Sequence, residues 1–513
     1  MKECKSPVTN CASKSAIVWG RIAEIGVSEL ISKKVIICQL LKGIQLMKKL
    51  MHSYVTLGIA ASPGQLKVWL IGFLLFFNQV FAVAQTDVFK IGSATKVINP
   101  ELGSFVQAAT TVKRATEIKG DLEANGIYLS KGEFQLLMLS CDLGGLESPF
   151  VVQAREAMAV ASGIPPRNII ISCTHARGPS LLKTNYLMPL DTVYMERLKV
   201  WLVDLAKEAV SSARPGRIGW AKDEVHLGCN RRLTWADGTH SMGGDPQRSD
   251  FNGMEGPDDP QHTVIFAEDL KGELIAIVWN NTTHVPMYYG AGIFSSALPG
   301  KVRESIRDMT RNDLPVLFLN GAQGDVSLRN ETTNRLTEMV VGKTMGLHNK
   351  AVFYDDPVLK HNYHDLRVAV RLPSPEALKE GKDILERIDA GENIQGMKMI
   401  MAFGAVYLQE KYEKDPFDTI PIHAIRIEDL AIVTQSCELF CQFGLDIKRR
   451  SPFSGTAVVG IADGFGGYCP TIYGILGGGY TGAPIAWARL EPYAGYKTVE
   501  TASQLLYSLW RAE

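Results

Sequence analysis

The chain has 513 residues, sets 54 basic against 54 acidic side chains, and is 46% hydrophobic. This balance, with no basic stripe or long charge run, argues against nucleic acid as a partner. The hydrophobic share supplies a globular core. The first distinctive segment is 67–84. Lys67 precedes Val68-Trp-Leu-Ile-Gly-Phe-Leu-Leu-Phe-Phe77, and Ala82-Val83-Ala84 follows. A basic residue, a short apolar run and an A-x-A exit predict a secretory signal peptide. Asn78 and Gln79 interrupt the run too early for an anchor helix. The protein is therefore expected to be exported, periplasmic or extracellular, with a mature start near Gln85. Residues 1–66 are an N-terminal extension with no clean plan, and Met47-Lys-Lys-Leu-Met51 offers an alternative translation start. Beyond the signal, no run is long and apolar enough to span a membrane.

Past the cleavage point the elements follow in order. Strands are predicted near 89–97, 126–130 and 134–142, then a helix over 150–162 ending at Gly163, then a strand running to His175. Strand–helix–strand of this length implies parallel pairing. A second helix covers 191–213, with Asp191 as its cap. Residues 226–262 read as a long polar loop of the kind that is commonly functional. A strand at 274–279, a helix from Leu298, a strand at 316–319 and a helix over 332–345 come next. A β-like stretch (366–372) and two charged helices (374–390, 394–414) precede a strand at 430–434. A short helix to Arg450 and a strand near 458 lead into a Gly-rich turn ending at Tyr468. Six cysteines lie beyond the signal: Cys141, Cys173, Cys229, Cys437, Cys441 and Cys469. They sit in apolar runs or beside Gly, with no CxxC pair, so buried free thiols are expected. Cys437 and Cys441 are four apart and are expected on one helix face. With no linker or repeat, 85–513 reads as one large α/β domain. Its mixed multistranded sheet is flanked by helices.

Four apolar runs end alike, in a polar turn bearing a ligand or nucleophile. They deliver His175, His284, Ser327 and Glu438. Ligands in α/β sheets bind outside the carboxyl ends of strands, so the four runs predict an enzyme site at that edge. Zinc takes His, carboxylate or thiolate and leaves a position for water in catalytic sites. A lone His at a strand end is ordinarily structural. Two of them with an acid leave the metal and structural readings both open. Asn320-Gly-Ala-Gln-Gly-Asp-Val-Ser327 could hold an oxyanion on its backbone N–H groups, or be a tight turn capped by Asp325. It is neither a P-loop nor a nucleophile elbow.

These residues carry a resemblance. Asn320-Gly-Ala-Gln-Gly-Asp-Val-Ser327 resembles the active-serine segment of neutral, non-lysosomal ceramidases. Ser172-Cys-Thr-His175 with Gly178-Pro179 is similar to that family's S-A-T-H-T-H-S-G-P, and Asn281-Thr-Thr-His-Val-Pro286 to its N-F-A-x-H-P. Asn230-Arg231-Arg232, Glu438-Leu-Phe and Gly467-Tyr-Cys-Pro-Thr471 with Gly478-Gly-Tyr480 complete the set in the family's order. The resemblance implies a zinc ion on His175, His284, Glu438 and Tyr468. It assigns catalytic roles to Ser327 and Arg231, with Asp325 in the same turn. The implied activity is zinc-dependent cleavage of an amide by metal-activated water, on an N-acyl lipid or related small molecule, with peripheral membrane contact.

The chain also departs from the pattern. Ala176-Arg177 replaces the second His, Leu328 replaces a Pro, Thr481 a Glu, and Ser295-Ser-Ala-Leu-Pro-Gly300 stands for the family's S-A-D-x-P-G without its Asp, at 297. The end at Glu513 sets the expectation that the family's C-terminal β-sandwich is missing. Two alternatives follow: a metal-independent serine hydrolase using Ser327 with His175 or His284 as base, and a non-catalytic descendant that binds lipid or glycan.

Overall fold

The computed structural model describes residues 88–107, 112–285 and 292–511. The predicted extension and signal peptide lie outside the described residues. In chain order the first strands are β1 (Lys90–Val97), β2 (Glu117–Lys119), β3 (Glu123–Lys131) and β4 (Phe134–Cys141). Helix α1 (Ser148–Ser162), β5 (Ile169–Cys173), α2 (Thr192–Ser211) and β6 (Arg214–Glu224) follow. Helix α1 stops where Gly163 turns left-handed, with φ +76°, and returns its N–H to Ala159. Asp191 caps α2 by accepting from Tyr194 N.

The segment expected as a loop holds four short strands: β7 (Gly228–Asn230), β8 (Arg232–Trp235), β9 (His240–Met242) and β10 (Phe251–Met254). Next come β11 (Gln261–Asp269), β12 (Leu274–Asn281), β13 (Ile293–Ser295), α3 (Ala297–Thr310), β14 (Val316–Asn320), β15 (Val326–Leu328), α4 (Thr333–His348) and β16 (Val352–Tyr354). The last third comprises β17 (Leu359–Ala369), α5 (Pro375–Asp389), α6 (Met397–Tyr412), β18 (Phe417–Ile427), β19 (Leu430–Gln435), β20 (Cys437–Leu439) and α7 (Cys441–Arg450). It closes with β21 (Gly455–Val459), β22 (Gly467–Cys469), α8 (Ile472–Leu476), α9 (Gly479–Gly482) and α10 (Ala494–Arg511). None of these helices is long and apolar enough to cross a membrane.

Two sheets carry the architecture. A mixed nine-stranded sheet runs β14-β12-β11-β6-β1-β3-β4-β5 with β16 beside β6, and a four-stranded sheet runs β17-β18-β19-β21. Three strand–helix–strand units pair in parallel: β4 with β5, β12 with β14, and β19 with β21. Their strands β5, β14, β19 and β21 are buried along their whole length, as parallel strands covered on both faces are. Ile127, Leu129 and Ile170 of the large sheet share one core with Ile425, Ile432 and Val459 of the small one. The sheets therefore pack on each other, and the helices lie outside. Helices α1 and α2 cover the outer face through Phe150, Leu198 and Leu202, α3 and α4 through Val302 and Leu336, and α7 and α10 cover the small sheet through Phe443, Ile447 and Leu506. The mixed sheet flanked by helices is as expected. The second sheet on its inner face is new, and it corrects the picture of one shared strand edge. Strands β6, β11 and β18 and helix α10 were not anticipated, and Glu438 lies in strand β20 rather than opening a helix. Cys437 is in that strand and Cys441 starts α7, so they do not share a helix face. The six cysteines are free, and all but Cys229 are buried.

The large sheet curls until its ends touch. Ser140 Oγ on β4 donates to Phe318 O on β14 at 2.6 Å, and Asn320 Nδ2 to Thr174 O at 3.2 Å. Segment 460–463 stitches β5 to the inner sheet: Cys173 N donates to Ile461 O at 3.0 Å and Asp463 N to Ile171 O at 2.8 Å. Ile461 and Asp463 hold φ of +51° and +62° to do so, a conformation unfavourable for a β-branched residue. Asp463 anchors the stitch. Its carboxylate meets Arg155 at 2.5 Å and His423 at 3.2 Å, and accepts from Ile171 N at 2.9 Å. Burial opposes its charge, but Arg155 and His423 outweigh that and hold the carboxyl down at about 2. A depressed carboxyl stabilises the fold above its unfolded value, and this contribution is lost as pH falls through about 2. Asp463→Asn is expected to cost about 3 kcal/mol at pH 7, because Arg155 stays buried without its partner. In urea titrations the gap to wild type should shrink as pH falls from about 4 toward 2.

Candidate metal centre

Each residue of the centre comes off a strand end or the turn beyond it. His175 follows β5 in a left-handed conformation, φ +66°, which a non-glycine residue adopts at a cost and which recurs at functional sites. His284 follows β12, and its N–H bonds Val326 O at 3.0 Å. Glu438 and Tyr468 are register partners in the parallel pair β20–β22. The two imidazoles meet edge to face, with Nε2 atoms 3.0 Å apart. Glu438 Oε2 lies 3.5 Å from His175 Nε2 and 3.8 Å from His284 Nδ1. His175, His284 and Glu438 are the only described residues of the His, Cys, Asp and Glu types that cluster in this way.

The hydrogen bonds fix what these groups can do. His175 Nδ1 lies 2.6 Å from Gly144 O. A carbonyl only accepts, so that nitrogen carries the proton and Nε2 presents a lone pair. Burial, with Arg231 and His175 beside it, pushes the His284 imidazole well below its ordinary value, so it is neutral. Burial raises the Glu438 carboxyl despite His175 and Arg231, and its Oε2 has no hydrogen-bond partner. Arg231 Nη2 reaches Gly324 O at 2.9 Å, Tyr468 OH at 3.1 Å and His284 Nδ1 at 3.1 Å. The Tyr468 hydroxyl helps hold the Glu438 carboxyl down and lies 3.0 Å from Tyr480 OH. Arg231 can only donate, so Tyr468 accepts from it. Burial and the Glu438 charge push the Tyr468 phenol well up, with Arg231 opposing.

This set fits a zinc ion. Tetrahedral zinc, with bonds of about 2.0–2.2 Å, holds its donors roughly 3.3–3.5 Å apart. The Nε2–Nε2 and Nε2–Oε2 separations of 3.0 and 3.5 Å bracket that spacing. A buried carboxylate oxygen without a partner is costly, and a cation between it and the two imidazoles would remove that cost.

No family model and no curated protein matches the sequence. Solved structures do match. Neutral ceramidase from Pseudomonas aeruginosa superposes with a TM-score of 0.64 at 14% identity, over 82% of this chain and 74% of that one. A ceramidase complexed with C2 gives 0.64 at 15% identity, over 83% and 75%. The chain has the fold of neutral ceramidase.

The structure brings His175, His284, Glu438, Tyr468 and Arg231 together. Ser327 is close by: its strand β15 pairs with β7, and its backbone bridges to His284. Asp325 is elsewhere in role. Its carboxylate accepts from Cys441 N at 2.7 Å and Asn230 Nδ2 at 2.8 Å, and its carbonyl from Arg231 N at 2.8 Å. It shapes the turn that carries Arg231, and burial lifts its carboxyl to about 6. Arg231 does not pair with Asp237, whose carboxylate holds Thr239. Among the departures, Ala297 is buried in the core at the start of α3, where an acid would be expensive. Two contributors escaped sequence reasoning. The Gly144 carbonyl leaves no sequence signal. Tyr480 stood in a quoted motif without a role.

Two variants test the donor set. His284→Ala should leave the fold intact and abolish stoichiometric zinc uptake, measured by metal analysis of purified protein. Glu438→Gln should stabilise the metal-free protein by about 1 kcal/mol, the scale for relieving an unsatisfied buried group. It should also remove the rise in melting temperature that zinc gives wild type.

Proposed function

We propose that the protein is a zinc-dependent hydrolase of the neutral ceramidase type, cleaving the amide of an N-acyl lipid or a related substrate. One observation carries this reading: His175, His284 and the unpartnered oxygen of Glu438 converge at zinc spacing, on a fold shared with ceramidase. Zinc bound there supplies Lewis acidity and lowers the pKa of water. The remaining chemistry belongs to the chain. Tyr468, Tyr480 and Glu438 keep the buried Arg231 guanidinium charged against the cost of its burial. Beside the ligands, that guanidinium is placed to hold an oxyanion developing on the scissile carbonyl. Ser327, adjacent to His284, orients the substrate or adds a second donor. Gly144 fixes the His175 tautomer, Arg231 donates toward the Tyr468 oxygen, and the Tyr480 hydroxyl meets it. Export through the 67–84 signal and work at a lipid surface complete the proposal.

The serine-nucleophile alternative lacks its base. The ring nitrogens of His175 and His284 face each other, Gly144 O and Arg231, and none of these contacts is with Ser327.

Stripping metal with a chelator should lower amide hydrolysis by at least about 10²-fold, and added zinc should restore it. Ser327→Ala should keep zinc stoichiometric while lowering kcat by about 10²-fold, the scale for one oxyanion donor. Activity that survives metal stripping would establish the serine route instead. Absence of zinc together with no turnover across amide and ester panels would mark a binding descendant.

A further inference from the structure

One buried guanidinium joins the β7–β10 segment to the glycine run after α8. Arg232 is wholly buried. Its Nε donates to Glu255 Oε2 at 2.5 Å, Nη1 to Thr481 Oγ1 at 2.6 Å, and Nη2 to Gly474 O at 3.0 Å and Gly478 O at 3.3 Å. The same Glu255 oxygen meets His240 Nδ1 at 2.6 Å. His240 lies directly on the run Gly477-Gly478-Gly479, where its backbone N donates to Gly477 O at 2.9 Å. A Cβ on Gly477 would sit 2.1 Å from the His240 ring, and one on Gly479 2.9 Å from His240 O. Only glycine permits this approach, and Gly478 and Gly479 also hold φ of +71°.

The cluster touches the metal centre at both ends through the adjacent residue. Arg231 precedes Arg232 and contacts His284 and Tyr468. Tyr480 precedes Thr481 and meets the Tyr468 hydroxyl at 3.0 Å. As a device for stability alone the arrangement is poor, because a buried ion pair gains little over well-packed apolar residues. As a device for registry it is apt. Apart from Glu255, every acceptor Arg232 takes lies between 474 and 481, in short helices and turns.

We propose that Arg232, Glu255 and His240 form a positioning clamp that seats Tyr480 against Tyr468 and thereby sets the phenol completing the zinc site. The proposal rests on reading Tyr468 as a ligand. Glu255 and His240 act through Arg232 and the glycine run, and touch neither substrate nor metal.

The test uses Glu255→Gln and Thr481→Val, each alone and combined with Tyr480→Phe. Two quantities are read in the full chain: the zinc dissociation constant by competition with a chromogenic chelator, and deuterium uptake of peptides spanning 471–482. Each single variant should weaken zinc by about tenfold, the lower range for outer-shell partners. Uptake should rise in 471–482 but not in β5 or β19. Adding Glu255→Gln to Tyr480→Phe should change affinity by less than about twofold, because both act through one phenol. Unchanged zinc affinity in a folded variant, or full multiplication of the two effects, overturns the clamp. Should Glu255→Gln not fold, Thr481→Val, which removes one hydroxyl, decides the matter. If wild type takes up no zinc, the metal reading falls alone. The clamp is then judged by uptake in 471–482, and unchanged uptake there overturns it.

Discussion

A carboxylate sealed inside the protein beside two imidazoles is the constraint around which the rest is arranged. Glu438 has one oxygen with no hydrogen bond, and the neighbouring Arg231 is turned to a carbonyl, a phenol and a ring nitrogen. Folding places this charge in a low-dielectric interior, where isolation is costly. Such a group persists when something other than stability selects it, and a cation would satisfy it. The curl of the large sheet, the left-handed backbone at His175 and the stitch through Ile461 and Asp463 all serve to bring its neighbours within reach.

Much of this was legible in the residues. Parallel strand–helix–strand units announce themselves by continuous apolar runs followed by capped helices. The runs ending at His175, His284, Ser327 and Glu438 were visible for that reason. What sequence could not convey is which sheet a strand joins. β19 and β21 look like β5 and β14 in composition, yet they build a second sheet whose inner face packs on the first. Strands β6 and β18 were missed because long strands with mixed burial show neither clean alternation nor a short apolar run; β11 is buried almost throughout, but its apolar run over 264–267 is framed by polar residues. The polar segment after β6 concealed β7–β10, whose residues are chosen for contacts with distant loops rather than for strand propensity.

The site shows the same division. Side chains that would bind a cation are recognisable by type, and their motifs held together in space. Groups that orient them are not. The Gly144 carbonyl could belong to any residue, and Glu255 is an ordinary acid until Arg232 is seen enclosed beside it. Asp325 illustrates the converse. It stands in the most suggestive motif of the chain, but its carboxylate is consumed in holding Cys441 and Asn230.

The order of the donors along the chain has a consequence for biogenesis. His175 and His284 emerge early, whereas Glu438 and Tyr468 belong to the final fifth of the polypeptide. Until that last fifth is made, this donor set offers at most a pair of imidazoles, too few to retain a divalent ion firmly. On the zinc reading proposed above, the inner sheet must dock before an acidic donor is delivered, so capture of the cation would report completion of the fold, and a nascent or truncated chain would not sequester metal prematurely.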